Sequence, residues 1–345
     1  MHYCREYFDD VRQAAKAVPD ITTLYNKKVF ITGATGMLCS AVVDIIALLN
    51  KEMDAGIKLV LAGRDKTRIL KRFEGCLTED SFEFAQYDAT KINCDAVAAD
   101  YYIHGASNAH PSSFAKEPVE TMLSNIIGLK TVLDMARESE GSRVLFISTG
   151  EIYGNGTSID NAYKEDDYGY VDILNPRSCY PMSKRAAETL CVSYNQEYGV
   201  DVVMARSCHA YGPGITESDS RATAAFTRKA AAGEDIVMKS AGEQMRSYCY
   251  TLDSAAALLT ILLKGESCEA YNISNEDTVV SIRNVADELA KACGVKVIFE
   301  NPEDAEKKSY NMMQNSVLDS QKLRNLGWLP QFDLTKGIEA TIKYL

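Results

Sequence analysis

The chain has 345 residues, enough to bury a full core, and its 46% hydrophobic and 25% charged content is that of an ordinary globular protein. A formal net charge of −11 argues against a nucleic-acid-binding or membrane-surface role, since both need basic patches, yet leaves room for an anionic small ligand held by local arginines and backbone amides. Four histidines, at 2, 104, 110 and 209, have no metal-ligand spacing, and no apolar run reaches the roughly 18 residues that cross a bilayer, so neither a metal site nor a membrane span is expected.

Residues 5–18 read as a short helical lead-in within an N-terminal extension, 1–27. From Lys28 apolar strands alternate with amphipathic helices. Strands are expected at 28–32, 57–62, 82–86, 99–103, 143–148 and 200–206, and helices near 37–53, 64–75, 91–97, 117–139 and 181–198. Such alternation predicts an α/β fold with a doubly wound parallel sheet over 28–207. After Arg206 the regularity breaks at the Gly/Pro/Ser-rich "HAYGPGITESDS". Helices at 221–232, 253–264 and 281–293 and short strands at 236–239, 271–273 and 296–299 suggest a smaller α/β substrate-binding lobe, 208–345, with some elements packing back on the sheet. Ten cysteines are scattered without a C-x-x-C pair and the N-terminus has no cleavable apolar segment, so reduced thiols in the cytoplasm are expected.

"KKVFITGATGMLCS" places Gly33 and Gly36 between the first strand and its helix. Glycines there let the backbone approach a pyrophosphate seated on the helix N-terminus. A third glycine would fall near Cys39, which is small enough for the same packing. At the end of the second strand Arg64 is followed by Asp65, which leaves NAD and NADP both open. Asp88 ends the third strand, where its carboxylate either accepts an adenine amino group or forms a turn.

In "CYPMSK", Tyr180 and Lys184 lie four apart on one helix face. An ammonium beside a phenol favours phenolate, so the tyrosine can take a hydroxyl proton, and Thr149 at the preceding strand end can bond the same hydroxyl. Tyr87 and Lys91 have the same spacing but follow no hydroxyl-bearing strand end, and are not expected to be catalytic. The strand Val144–Ile147 runs into Ser148, Thr149, Gly150 and Glu151, so a glycine separates the hydroxyls from an acid.

These motifs, in this order, resemble the extended short-chain dehydrogenase/reductases of the NAD-dependent epimerase/dehydratase family, with a Rossmann-type fold. Asn125 in the long helix, "RSYCYTLDSAAALL", "YNISNEDTVVSI" and "LRNLGWLPQFDLTKGIEATI" extend the resemblance over nearly the whole chain from residue 28. Within the family, "HGASNAHP", "EDDYGYVDILNPRSCYPMSKRAAETL" and "MRSYCY" look most like UDP-glucuronate decarboxylases. The resemblance implies NAD, with NADP not excluded, held by Gly33, Thr35, Gly36, Met37, Leu38, Arg64, Asp88, Ala89, Ala106, Ser107, Asn125, Tyr180 and Lys184. It implies a nucleotide sugar, UDP-linked, contacted by Ser107, His209, Arg221 and Arg246. Thr149 and Tyr180 would act on the C4 hydroxyl, Lys184 on the ribose and the tyrosine's ionisation, Glu151 beside C5, and Arg246 on the diphosphate or sugar. A homodimer through helices 117–139 and 181–198 is also implied.

Three positions depart from the decarboxylase pattern: Gly150 stands where relatives have Ser, or Asp in 4,6-dehydratases, His209 replaces an Asn, and Gly214 an Arg. Gly150 offers no acid to protonate a departing hydroxyl, so dehydration needs a substitute such as His104, His110 or His209. A 4-epimerase needs no carboxylate at Glu151. Decarboxylation of a β-keto acid tolerates Gly150 best, in a pocket emptied at that point. A reductase of another activated sugar and a catalytically silent dinucleotide-binding protein stand as the alternatives.

Overall fold

In the computed structural model, residues 2–92, 94–156, 162–300, 313 and 315–345 are described. A parallel sheet of seven strands forms the centre, in the order β10-β6-β5-β4-β1-β2-β3. Its members are β1 (Lys28–Thr32), β2 (Lys58–Gly63), β3 (Glu83–Gln86), β4 (Tyr101–His104), β5 (Arg143–Thr149), β6 (Asp201–Ser207) and β10 (Ala270–Ile273). The inner strands are buried almost throughout because helices cover both faces, which is why they read as unbroken apolar runs.

On one face α1 (Arg5–Lys16), α2 (Met37–Met53) and α8 (Thr251–Lys264) enclose the larger core. On the other, α5 (Pro118–Arg137) and α6 (Cys179–Tyr198) pack against one another over Phe30, Val60, Tyr102, Val144, Phe146 and Met204. Pro118 opens α5 at its first turn, and Gly199 at φ 72 closes α6 in the left-handed conformation. Short α3 (Lys66–Arg72) follows β2 and is capped by the Asp65 carboxylate, while α4 (Pro111–Lys116) precedes α5.

Beyond β6, a second layer holds β7 (His209–Tyr211), α7 (Ala222–Ala231), β8 (Ile236–Met238), β9 (Met245–Tyr250), β11 (Val279–Ser281), α9 (Ile282–Cys293), β12 (Val297–Phe299) and β13 (Asn315–Ser316). Here β9 is flanked by β11 and β13 and also pairs with β7, and β12 pairs with β8. The strand expected at 271–273 does not belong to this layer; as β10 it pairs in parallel with β6 and ends the main sheet. The helix expected near 91–97 does not form among the described residues. The Asp88 carboxylate bonds the Thr90 N–H at 3.1 Å and Tyr87 bridges to Cys94, so the backbone groups a helix would need are spent in a turn.

Candidate active site

The carboxyl ends of β1, β4, β5 and β6 open into a cleft of ≈ 780 Å³, walled on the far side by residues of β7, α7 and β9. Gly33, at φ +69, follows β1; a Cβ there would meet Ala106 N and Gly105 O at 2.7 Å, so only glycine fits. Gly36 is the N-cap of α2, whose first turn carries no acidic residue. Its free backbone amides, the positive end of a 17-residue helix and the buried, unpartnered Ser107 hydroxyl form a cradle suited to a dinucleotide's diphosphate.

Across the cleft, Thr149 ends β5 beside the phenol of Tyr180, which stands at the start of α6. That strand end is pinned from behind. Ser148 donates to Glu188 at 2.5 Å, and Glu188 is paired with buried Arg206 at 2.7 Å, whose Nη1 donates to Tyr153 and to the Glu165 carbonyl. The Lys184 ammonium donates to the Ile147 carbonyl at 2.6 Å and lies 5.8 Å from the Tyr180 ring centre. The expectation that Lys184 pulls the phenol down is not met in this structure. Burial pushes Tyr180 up to about 12, with Glu151 adding to the rise and Thr149 opposing it, while burial takes Lys184 itself down to about 7. A neighbouring positive charge is what the phenol requires.

Glu151 does not face the cleft as a bare acid. Both its oxygens accept from Nη2 of Arg177, at 3.0 and 3.1 Å. The Arg177 guanidinium lies 4.5 Å over the Phe114 ring, and Phe114 stacks on Tyr180 at 4.6 Å and 20°. Nor does Gly150 leave a gap where a side chain would stand. A Cβ there would lie 3.0 Å from Cδ1 of Leu318, a buried residue from beyond β13, so an apolar side chain fills that space. Arg177, Phe114 and Leu318 had no signal in the sequence: Glu151 and Arg177 are 26 residues apart and share no motif.

Of the other expected site residues, Met37, Leu38, Ser107, His209, Arg221 and Arg246 line the cleft with Gly33 and Gly36. Arg221 is paired with buried Asp219 at 2.6 Å. Arg246, on β9, donates to the carbonyls of Met245 and Met313. Burial, then Arg246, takes His209 down to about 3, and its Nδ1 has no partner. His104 is buried, lies outside the lining, shares a hydrogen bond with Thr32 at 2.9 Å and is likewise brought to about 3, so neither imidazole is an imidazolium at neutral pH. His110, at the start of α4, is lowered by burial. Neither buried histidine therefore supplies the acid that dehydration lacks.

Thr35, Arg64, Asp88, Ala89, Ala106 and Asn125 are not part of the lining. Arg64 and Asp88 follow β2 and β3 at one edge of the sheet, and Asp88 is engaged by Thr90. Asn125 donates to the Thr121 carbonyl and to the Ser183 hydroxyl on α6. Ala89 sits against Gly128 of α5, and the Ala106 N–H donates to Thr32. The Asp65 carboxylate, free in principle to read a ribose, caps α3 through Thr67.

Residues 29–274 match the family described as NAD dependent epimerase/dehydratase. UDP-glucuronic acid decarboxylase 6 of Arabidopsis thaliana is 29% identical over 316 residues, covering 91% of this chain and 87% of the relative. UDP-glucuronic acid decarboxylase 1 of Xenopus tropicalis is 28% identical over 321 residues, covering 92% and 72%. The solved UDP-glucuronic acid 4-epimerase of Bacillus cereus, in complex with UDP-glucuronic acid and NAD, superposes with a TM-score of 0.76 at 20% identity, covering 92% of this chain and 98% of that one. With a dinucleotide cradle at β1 and a Thr149, Tyr180 and Lys184 cluster across from it, the chain belongs to the NAD-dependent epimerase/dehydratase family of extended short-chain dehydrogenases.

Proposed function

We propose that the protein is a UDP-glucuronate decarboxylase. The observation that carries this reading is the filling of the space beside Gly150 by Leu318. Between Thr149 and Glu151 the chain presents no side chain to the cleft, and one added at Gly150 would run into buried Leu318, so no group at this position can protonate a departing sugar hydroxyl, as elimination of water demands. Oxidation followed by loss of CO2 makes no such demand.

Each step falls to a group already described. The backbone of Gly33–Leu38 would hold the cofactor diphosphate, and Lys184 would hold its ribose. When bound, the nicotinamide supplies a reversible hydride sink and a positive charge near the phenol. Tyr180, aided by Thr149, takes the proton of the C4 hydroxyl as that carbon is oxidised to a ketone. The ketone lies β to the sugar carboxylate, so the C–C bond breaks with its electron pair passing to the ketone as enolate, and CO2 leaves. Reprotonation at C5 and return of two electrons and a proton at C4 make the net reaction redox-neutral. Among the described residues, five Lys and Arg side chains line the cleft against two acidic ones, which suits a ligand with several negative charges in a chain that is acidic as a whole.

Incubation of the purified protein with UDP-glucuronate, followed by mass spectrometry, is expected to yield CO2 and a UDP-pentose. Turnover of a neutral nucleotide-hexose with none of UDP-glucuronate would overturn the decarboxylase reading and leave the family intact. We read the assembly as a cytoplasmic homodimer, supported by exposed Val119 and Met122 on α5 and Val192 and Tyr198 on α6. Light scattering at micromolar concentration checks it, and a monomer mass would refute it.

A further inference from the structure

Among the described residues the cleft has two acidic side chains in its lining, Glu151 and Asp219, and each is matched by an arginine of its own, Arg177 and Arg221. Asp219 and Arg221 are two residues apart and form a local pair. Glu151 and Arg177 come from separate elements: the turn after β5 and the turn that leads into α6. The second turn is prepared for the task. The Asn175 side chain accepts from the Arg177 N–H at 3.0 Å, and the Ser178 hydroxyl donates to the Asp172 carbonyl at 2.6 Å. The guanidinium that emerges is clamped flat on Phe114, which in turn stacks on Tyr180. Only Nη2 is committed to the carboxylate, and Nε stays buried without a hydrogen-bond partner.

Such a pair has a consequence for what can enter. A bare Glu151 would repel a second carboxylate brought beside Tyr180, by roughly two- to three-hundredfold in affinity for charges about 5 Å apart at an effective dielectric of about 20. A neutral hexose would feel nothing of the kind. We propose that Arg177 is the countercharge that lets the Glu151 end of the cleft accept a sugar bearing a carboxylate, and so sets the preference of this site for a uronate over a neutral hexose. The inference rests on the reading of the cleft as a UDP-sugar site. Arginine suits the role because its planar fork stacks on an aromatic face while holding a carboxylate, which an ammonium cannot reproduce. Arg177 is thus a specificity and positioning residue, acting through Glu151.

The test is a double-mutant cycle in NAD-loaded protein, in a Tyr180→Phe background that prevents turnover. UDP-glucuronate and UDP-glucose are titrated by calorimetry into the parent, Arg177→Met, Glu151→Gln and the double variant. Arg177→Met is expected to weaken UDP-glucuronate tenfold or more and to leave UDP-glucose within twofold. Adding Glu151→Gln should recover most of the lost uronate affinity, since it removes the uncovered charge. Equal weakening of both sugars, no selective loss, or no recovery in the double variant would overturn the inference, as would a parent that binds UDP-glucose more tightly than UDP-glucuronate. A parent that binds UDP-glucuronate selectively, alongside a wild-type chain that releases no CO2, would sink the decarboxylase reading and leave Arg177 in its role. Binding of neither sugar would sink both.

Discussion

Leu318 and Gly150 meet across the boundary between the second layer and the main sheet, with room between them for a glycine's hydrogen and for no larger substituent without a shift. Leu318 is fixed by its own N–H, which donates to Ser247 on β9 at 3.0 Å, and by Ile152, Tyr153, Tyr163 and Met313 around it. Gly150→Asp is therefore expected to destabilise the fold by about 1–3 kcal/mol, from crowding and from a carboxylate set against an apolar wall. It should confer no dehydration activity. Denaturant unfolding measures the loss, and the added substitution Leu318→Ala should recover part of it by making room.

Tyr180→Phe removes the group placed to take the hydroxyl proton while keeping the stack on Phe114. Ring oxidation should fall by about 10²–10⁴-fold with the dinucleotide still bound. The near-ultraviolet absorbance of transiently reduced nicotinamide reads the first effect and cofactor retention on gel filtration the second. Undiminished oxidation would refute the assignment of the base.

Burial of Lys184 predicts a pH signature in stability. Its folded-state value, about 7, lies below the 10.5 of an exposed lysine. Between those values the unfolded chain holds a proton that the folded chain has released, so this group's contribution to stability rises with pH across that window. Below pH 7 both states are protonated and the folded state bears the full penalty of the buried charge. In protein stripped of dinucleotide, Lys184→Met should flatten the pH dependence of unfolding free energy above pH 7, by at most about 1.4 kcal/mol per pH unit. Parallel curves for the two proteins would contradict the burial argument.

A second buried charge ties α1 to the cofactor helix. Asp44, within α2, accepts from the Tyr3 and Tyr7 hydroxyls at 2.7 Å each. Arg72, whose guanidinium offsets the buried charge of Asp44, donates to the Tyr3 hydroxyl and to Ser40. Asp44→Ala would strand two phenols and a largely buried guanidinium, and is expected to cost about 3–5 kcal/mol by thermal or denaturant unfolding. Tyr7→Phe, which removes one donor only, should cost about 0.5–1.5 kcal/mol.

The sheet was legible because β1, β2, β5 and β6 are buried on both faces, and burial of that kind writes continuous Val/Ile/Leu runs into the chain. The tyrosine–lysine spacing and the glycines after β1 were legible because each is local, set within one helical turn or one loop. The stretch 91–97 misled because its composition permits a helix while Asp88 and Cys94 divert the backbone. Strand β9 was invisible for the opposite reason: Arg246 and Ser247 are buried by partners far along the chain, so no alternation marks it. Arg177 and Leu318 acquire their roles only when distant segments meet. No reading of spacing reaches a contact between residues 150 and 318.

Strand β10 reaches back from the second layer to hydrogen-bond along β6, from Ala270 against Met204 to Ile273 against Ser207. A fragment ending at residue 207 would thus carry an unguarded, largely apolar outer strand, with its row of amides and carbonyls open to pairing with another copy. The cofactor-binding half is not a removable module. Cutting the gene there would turn β6 into a seed for aggregation.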